Sequence, residues 1–174
     1  MTKEEICKDN SLFGAISLSN NCGHQGAILS GLMYVKDECD AVITLDADLQ
    51  HDITVIPDFI RLFEEGHDIV YGVRKSREGE KIFKRFTGNA FYSVMRFSGA
   101  KVIKNHADYR LMSTKAIQAL GNFEEVNLFL RGIIPMIGFK NTTLEYEEKF
   151  RLAGESKYSL KKMLKLAADG ITSF

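Results

Sequence analysis

The chain has 174 residues, enough for one domain with a sizeable buried core. Its 45% hydrophobic and 26% charged residues, with 12 Phe, exclude an intrinsically disordered chain. Basic and acidic residues balance at 23 each, so no overall field attracts nucleic acid or membrane, and any charge imbalance must be local.

Met1 to Asn10 reads as a polar helical turn or the tail of a helix, too polar for a signal peptide. Gly14-Ala15-Ile16-Ser17-Leu18-Ser19 alternates loosely and predicts a strand, which Asn20-Asn21-Cys22-Gly23 breaks. Ala27, Ile28, Gly31, Leu32 and Val35 recur at helical spacing, so His24 to about Lys36 is expected to be a helix with one buried face. The Asn/Gly turn before it is suited to capping that helix, and also to approaching a phosphate.

Ala41-Val42-Ile43-Thr44-Leu45 then runs apolar into Asp46-Ala47-Asp48-Leu49-Gln50. Such a run fits a strand buried on both faces, and α/β sheets place ligand chemistry beyond the carboxyl ends of their strands. Asp46 and Asp48, two residues apart, share one side of an extended chain. Two hard oxygen donors there suit a divalent cation, magnesium or manganese, above all one already bound to substrate phosphates, and Gln50 is a neutral third ligand. The pair also fits a solvated turn or a helix cap. Haloacid-dehalogenase-type phosphatases begin with Asp-x-Asp too, but a Thr or Val usually follows their second Asp by one residue, and here Leu49-Gln50 follows.

Asp52, Thr54 and Pro57 signal a helix start, Ile56, Phe59, Ile60 and Phe63 its buried stripe, and Gly66 its end. Asp68 to Arg74 is a second apolar strand, ending in a cation. Strand, helix and strand at this spacing predict a βαβ unit and a parallel sheet. Lys75 to Lys81 reads as a charged loop. Phe83, Phe86, Ala90, Val94 and Phe97 mark a long helix whose polar flank carries Lys84, Arg85 and Arg96.

Asn105 to Met112 is strand-like with Asp108 and Arg110 two apart, which fits an exposed edge or an active-site pair. Ser113-Thr114 caps a short helix through Leu120. Asn127 to Gly138 is apolar nearly all round, a buried helix or one half-sunk in lipid. Asn141 to Phe150 reads as a strand with one wet face. From Lys149 to Lys165 six basic residues face one acidic residue, Glu155, and Leu160, Met163, Leu164, Ala167 and Ile171 share one helical face. A basic amphipathic helix suits a membrane surface or a partner, and also an ordinary solvated helix. Cys7, Cys22 and Cys39 form no Cys-x-x-Cys pair, which fits a reducing compartment. No run approaches the roughly 18 apolar residues of a membrane span, so the chain as given is expected to be soluble.

Five segments, in this order, resemble family 2 glycosyltransferases of the A-type nucleotide-sugar (GT-A) fold, in particular the polyprenyl- and dolichyl-phosphate subgroup. They are Asn21-x-Gly23, Asp46-Ala47-Asp48-Leu49-Gln50, Gly72-x-Arg74, Asp108-Tyr109-Arg110-Leu111-Met112 and Arg151-x-x-Gly154-x-Ser156-Lys157. The resemblance implies an α/β domain with a mostly parallel, Rossmann-like sheet over residues 1–150 and a basic juxtamembrane segment over 151–174. The activity it implies is inverting transfer of a sugar from a nucleotide diphosphate sugar to a polyprenyl phosphate, on the cytoplasmic side of a membrane. In that reading Asp46, Asp48 and Gln50 hold the metal, Arg74 and Arg85 clamp the donor phosphates, and Asp108, the candidate base, is oriented by Arg110. Arg151, Ser156 and Lys157 take the lipid phosphate. The subgroup's opening nucleoside-binding strand and turn have no counterpart before Gly14, and Phe174 falls where its membrane helices would start. The chain is therefore expected to lack both parts. A soluble glycan acceptor and a non-catalytic binding fragment are the competing readings.

Overall fold

The computed structural model describes residues 13–75, 106–123 and 130–148. Helix α1 spans Gly23–Val35, strand β1 Ala41–Thr44, helix α2 Ile56–Glu64 and strand β2 Ile69–Arg74. Strand β3 spans His106–Ser113, helices α3 and α4 Thr114–Leu120 and Leu130–Met136, and strand β4 Asn141–Tyr146.

The strands form one mixed sheet in the order β1-β3-β2-β4. β1 and β2 run in the same direction, as the β1-α2-β2 spacing predicts, but they are not neighbours. β3 lies between them and pairs antiparallel with both, while β2 and β4 pair in parallel. The carboxyl ends of β1, β2 and β4 and the amino end of β3 therefore share one edge of the molecule. The adjacent parallel pair expected from local spacing is absent because β3, contributed from 32 residues beyond Arg74, takes the central place.

The sheet is covered on both faces. Leu32 of α1, Ile117 of α3 and Ile133 of α4 bury one face together with Tyr71 and Met112. Phe59 of α2 packs the other with Val70, Tyr109, Leu111 and Tyr146. Fully burying one such side chain stabilises by about 1.5–3 kcal/mol, so these two clusters hold the sheet edge that carries the polar residues.

Several helix signals take their expected places. Asn21 Oδ1 accepts from Gly23 N at 3.0 Å ahead of α1. Asp52 Oδ1 accepts from Thr54 N at 3.2 Å, opening a 3-10 turn over Ile53–Val55 that leads into α2 with Pro57 in its first turn. Ser113 Oγ accepts from Ala116 N at 3.3 Å and caps α3. β4 alternates as expected, with Asn141, Thr143 and Glu145 outward and Tyr146 buried.

Other expectations fail. Residues 14–19 form no strand; the segment has no ladder, and Ile16 and Leu18 are exposed. β1 is half-buried, not buried, because it is the edge of the described sheet. Ile60 is 45% exposed, and Leu62 packs against the core beside Phe59 and Phe63. β3 is central, which overturns the edge reading of Asp108 and Arg110.

Gly72 is where the sheet demands glycine. A Cβ there would stand 2.7 Å from Tyr109 O and 3.3 Å from the Phe59 ring, and the β2–β3 register shifts between Tyr71 and Val73. The Met1–Asn10 turn, the loop beyond Lys75, the helix carrying Arg85, residues 127–129 and the basic segment with Arg151, Ser156 and Lys157 lie outside the described residues.

Candidate active site

The acidic turn after β1 is held by its own side chains. Asp46 N donates to His51 Nδ1 at 3.1 Å, and Gln50 N donates to Asp48 Oδ1 at 3.1 Å. Leu49, between them, adopts a left-handed φ of 61° that lets the turn close. His51 is buried, stacked on Tyr109 at 4.7 Å with the rings 16° apart, and Tyr109 Oη donates to Asp52 O at 3.0 Å. Burial holds the His51 pKa below its usual value, with Arg74 adding to that effect against Asp46. With Nδ1 accepting a hydrogen bond, the neutral ring carries its proton on Nε2, 3.9 Å from Asp46 Oδ2.

Asp108 sits beside this turn at the start of β3, its side chain 2% exposed. Arg110, one strand period along, is 1% exposed and donates from Nη2 to Asp108 Oδ1. Arg131 of α4 straddles the same carboxylate, with Nε 3.3 Å from Oδ1 and Nη2 2.9 Å from Oδ2. His24 Nε2, in the first turn of α1, lies 3.1 Å from Asp108 Oδ2 and 3.7 Å from Asp46 Oδ1. Burial would raise the Asp108 pKa, but the hydrogen bond and charge of Arg131, the charge of Arg110 and the hydrogen bond from His24 together hold it well below the usual carboxylate range. Desolvation lowers the Arg110 pKa, and the Asp108 charge opposes it.

A cavity of about 290 Å³ opens between these groups, lined by His24, Thr44, Asp46 and Asp108. A larger one, about 780 Å³, lies at the opposite edge around Asp40, Asp68 and Lys115. There Lys115 Nζ and Ser113 Oγ already occupy Asp68, at 2.9 and 3.1 Å. The smaller cavity is the candidate site because it lies at the strands' carboxyl ends, where α/β sheets bind ligands.

The expected site residues are thus divided. Asp46 and Asp108 line one cavity, with Arg110 on Asp108, while Asp48 and Gln50 belong to the turn after β1 and do not line that cavity. Arg74 reaches the strands' carboxyl ends from β2, where Nη1 pairs with Glu148 Oε1 at 3.3 Å. Among the described residues no group of three or more His, Cys, Asp or Glu side chains is placed to hold a metal ion. Asp46 fits a different arrangement: its carboxylate is 33% exposed, and His24 and His51 stand too far away to hydrogen-bond its oxygens. A carboxylate of that kind suits a hard cation that keeps its other positions for water and phosphate, as magnesium does, and not an all-protein cage. His24, His51 and Arg131 escaped the sequence reading. Arg131 had a signal, as the sole charge in the apolar run Asn127 to Gly138. The two histidines had none beyond their nearness to turns.

The mixed sheet flanked by helices, with acidic, histidine and arginine side chains at its strand ends, is consistent with an α/β GT-A-like fold. Residues 4–125 match the glycosyl transferase family 2 model, and the chain belongs to that family. It is 52% identical over 165 residues to the uncharacterized glycosyltransferase YkoT of Bacillus subtilis (strain 168), covering 95% of this chain and 49% of that protein. It is 36% identical over 160 residues to the prophage bactoprenol glucosyl transferase homolog of Escherichia coli (strain K12), covering 91% of this chain and 52% of that protein. It is also 37% identical over 160 residues to the bactoprenol glucosyl transferase of Shigella phage SfV, covering 91% and 52%. The chain spans about half the length of the curated relatives it matches.

Proposed function

We propose that this glycosyltransferase moves a sugar from a nucleotide diphosphate sugar to a polyprenyl phosphate, with inversion at the anomeric carbon. The observation that carries the reading is the meeting of Asp46 with Asp108 in one cavity at the strands' carboxyl ends, bridged by His24, in a chain similar to bactoprenol glucosyl transferases. Asp46, Asp48 and Gln50 would hold magnesium or manganese, which when bound neutralises the charge of a departing diphosphate. Arg74 and Arg85 would grip the donor phosphates, as planar guanidinium forks do better than lysine.

A phosphate monoester has a second pKa of about 6, so the acceptor oxygen is mostly ionised near neutral pH and needs no strong base. Asp108, with its pKa held low, is correspondingly poor at removing a proton. Its role in this reading is to organise the cations around it, with Arg110 fixing its direction. Arg151, Ser156 and Lys157 would take the lipid phosphate, and residues 151–174 would rest on an anionic membrane surface, at about 1 kcal/mol per basic residue. Among the described residues no helix is long and apolar enough to cross a membrane.

The test is calorimetry and turnover with the protein in its natural length. Manganese-dependent binding of a nucleoside diphosphate, lost in Asp48→Asn together with sugar transfer, is the expected result. Unchanged turnover in that variant would remove the metal assignment. Transfer to a lipid-free glycan in place of a polyprenyl phosphate would establish the soluble-acceptor alternative.

A further inference from the structure

Side chains from three elements donate to Asp108. Arg110 comes from the same strand, Arg131 from α4, and His24 from α1, where Nε2 lies 3.1 Å from Asp108 Oδ2. Asp108 is ionised, because its pKa is held low, and an ionised carboxylate only accepts. Nε2 of His24 therefore carries the proton of this hydrogen bond. The same nitrogen is 3.7 Å from Asp46 Oδ1. One imidazole N–H thus stands between the carboxylate that follows β1 and the carboxylate at the start of β3, and all three side chains line the cavity of about 290 Å³.

The backbone fixes His24 from both sides. Gly23, before it, has a φ of 74°, a left-handed value that a side chain would strain, and its N–H donates to Asn21 Oδ1 at 3.0 Å. Gln25, after it, accepts through Oε1 from Leu130 N at 3.3 Å, which ties the first turn of α1 to α4. Leu32, two turns further on, is buried in the core. The imidazole itself is 46% exposed. Replacing it removes no buried packing, so an effect on the reaction would come from the bond it makes to Asp108.

We infer that His24 is a positioning residue of the transfer reaction: its Nε2–H holds Asp108 from α1 and so sets that carboxylate opposite Asp46 across the cavity. The inference rests on the glycosyltransferase reading for its substrates. In that reading the donor diphosphate is held from Asp46, and a change in the separation of Asp46 and Asp108 moves the donor relative to the cations that Asp108 organises. A misplacement of about 1 Å costs roughly a hundredfold in rate.

The experiment uses the natural-length protein, with nucleotide diphosphate hexoses (UDP-glucose first) as donor probes and polyprenyl phosphate in phosphatidylcholine nanodiscs as acceptor probe. His24→Ala is expected to lower kcat by about tenfold or more and to change the donor KM by less than about threefold, the pattern of lost alignment. His24→Gln, which keeps an N–H at similar reach, should recover most of that kcat. A second readout needs no turnover: the ring ¹⁵N resonances of His24 should show Nε2 protonated in the unliganded protein. If His24→Ala, folded as judged by near-ultraviolet circular dichroism, keeps the parent's kcat, the inference is wrong. It is equally wrong if only the donor KM rises, the mark of a plain binding contact, if His24→Gln is no better than His24→Ala, or if Nε2 carries no proton. Should the parent transfer no sugar to the lipid from any of the donor probes, the proposed function falls and the ring decides alone. A protonated Nε2 whose signal moves in Asp108→Asn then keeps His24 as the holder of Asp108, and a bare one ends the inference.

Discussion

At the scale of single residues, Asp108 decides more than any other side chain. Removing one member of a buried ion pair leaves the other uncompensated, at a cost of about 3–5 kcal/mol. Asp108→Ala strands Arg110, which is 1% exposed, so urea denaturation should show a loss of that order. The pH dependence has a definite sign. The folded-state pKa of Asp108 lies below the ordinary value of 3.8, so its contribution to stability is complete above 3.8 and is lost as the pH falls from there through the folded value. Acid titration followed by circular dichroism should show this loss in the parent, and Asp108→Asn should remove that part of the dependence.

Among the elements, β2 and the acidic turn are held by opposite devices. β2 relies on a missing side chain. Ala at position 72 would press its Cβ against Tyr109 O, a backbone atom that cannot swing away, so Gly72→Ala should cost about 1–3 kcal/mol as overpacking does, measured by thermal or urea unfolding. The acidic turn relies on His51, whose Nδ1 accepts from Asp46 N while its ring stacks on Tyr109. His51→Phe keeps a stacking ring and removes the acceptor. It should cost about 1 kcal/mol for the hydrogen bond lost at a part-buried donor, and should also weaken manganese-dependent nucleotide binding by loosening Asp46. A stability loss without that second effect would separate the turn from the metal.

For the whole molecule, the sheet edge and its two covering layers form one unit. Phe59 is fully buried against Tyr109 and Tyr146, so Phe59→Ala should cost about 3–5 kcal/mol and lower activity by letting β3 shift under Asp108. In the natural-length protein, chelation of divalent cations should abolish sugar transfer reversibly, with activity returning on addition of manganese. Turnover that survives chelation would leave Asp46 and Asp48 as turn residues alone.

Local order was legible in the sequence wherever it depends on neighbours along the chain. The caps at Asp52 and Ser113, the alternation of β4, the extent of α1 and the abrupt end of β1 at two carboxylates all follow from side chains a few residues apart. The Asp46, Asp48 and Gln50 motif belongs to that group, and so does the family resemblance, because an ordered set of short motifs is itself a sequence property. Only the tertiary structure decided what depends on residues far apart in the chain. It set β3 between β1 and β2, left residues 14–19 without a ladder, and turned Ile60 outward. It also brought His24 and Arg131 onto Asp108 from 84 and 23 residues away. The reason is physical: hydrophobic burial is nondirectional and marks only which faces are covered, whereas strand order and ion-pair partners are chosen by the packing of the assembled layers.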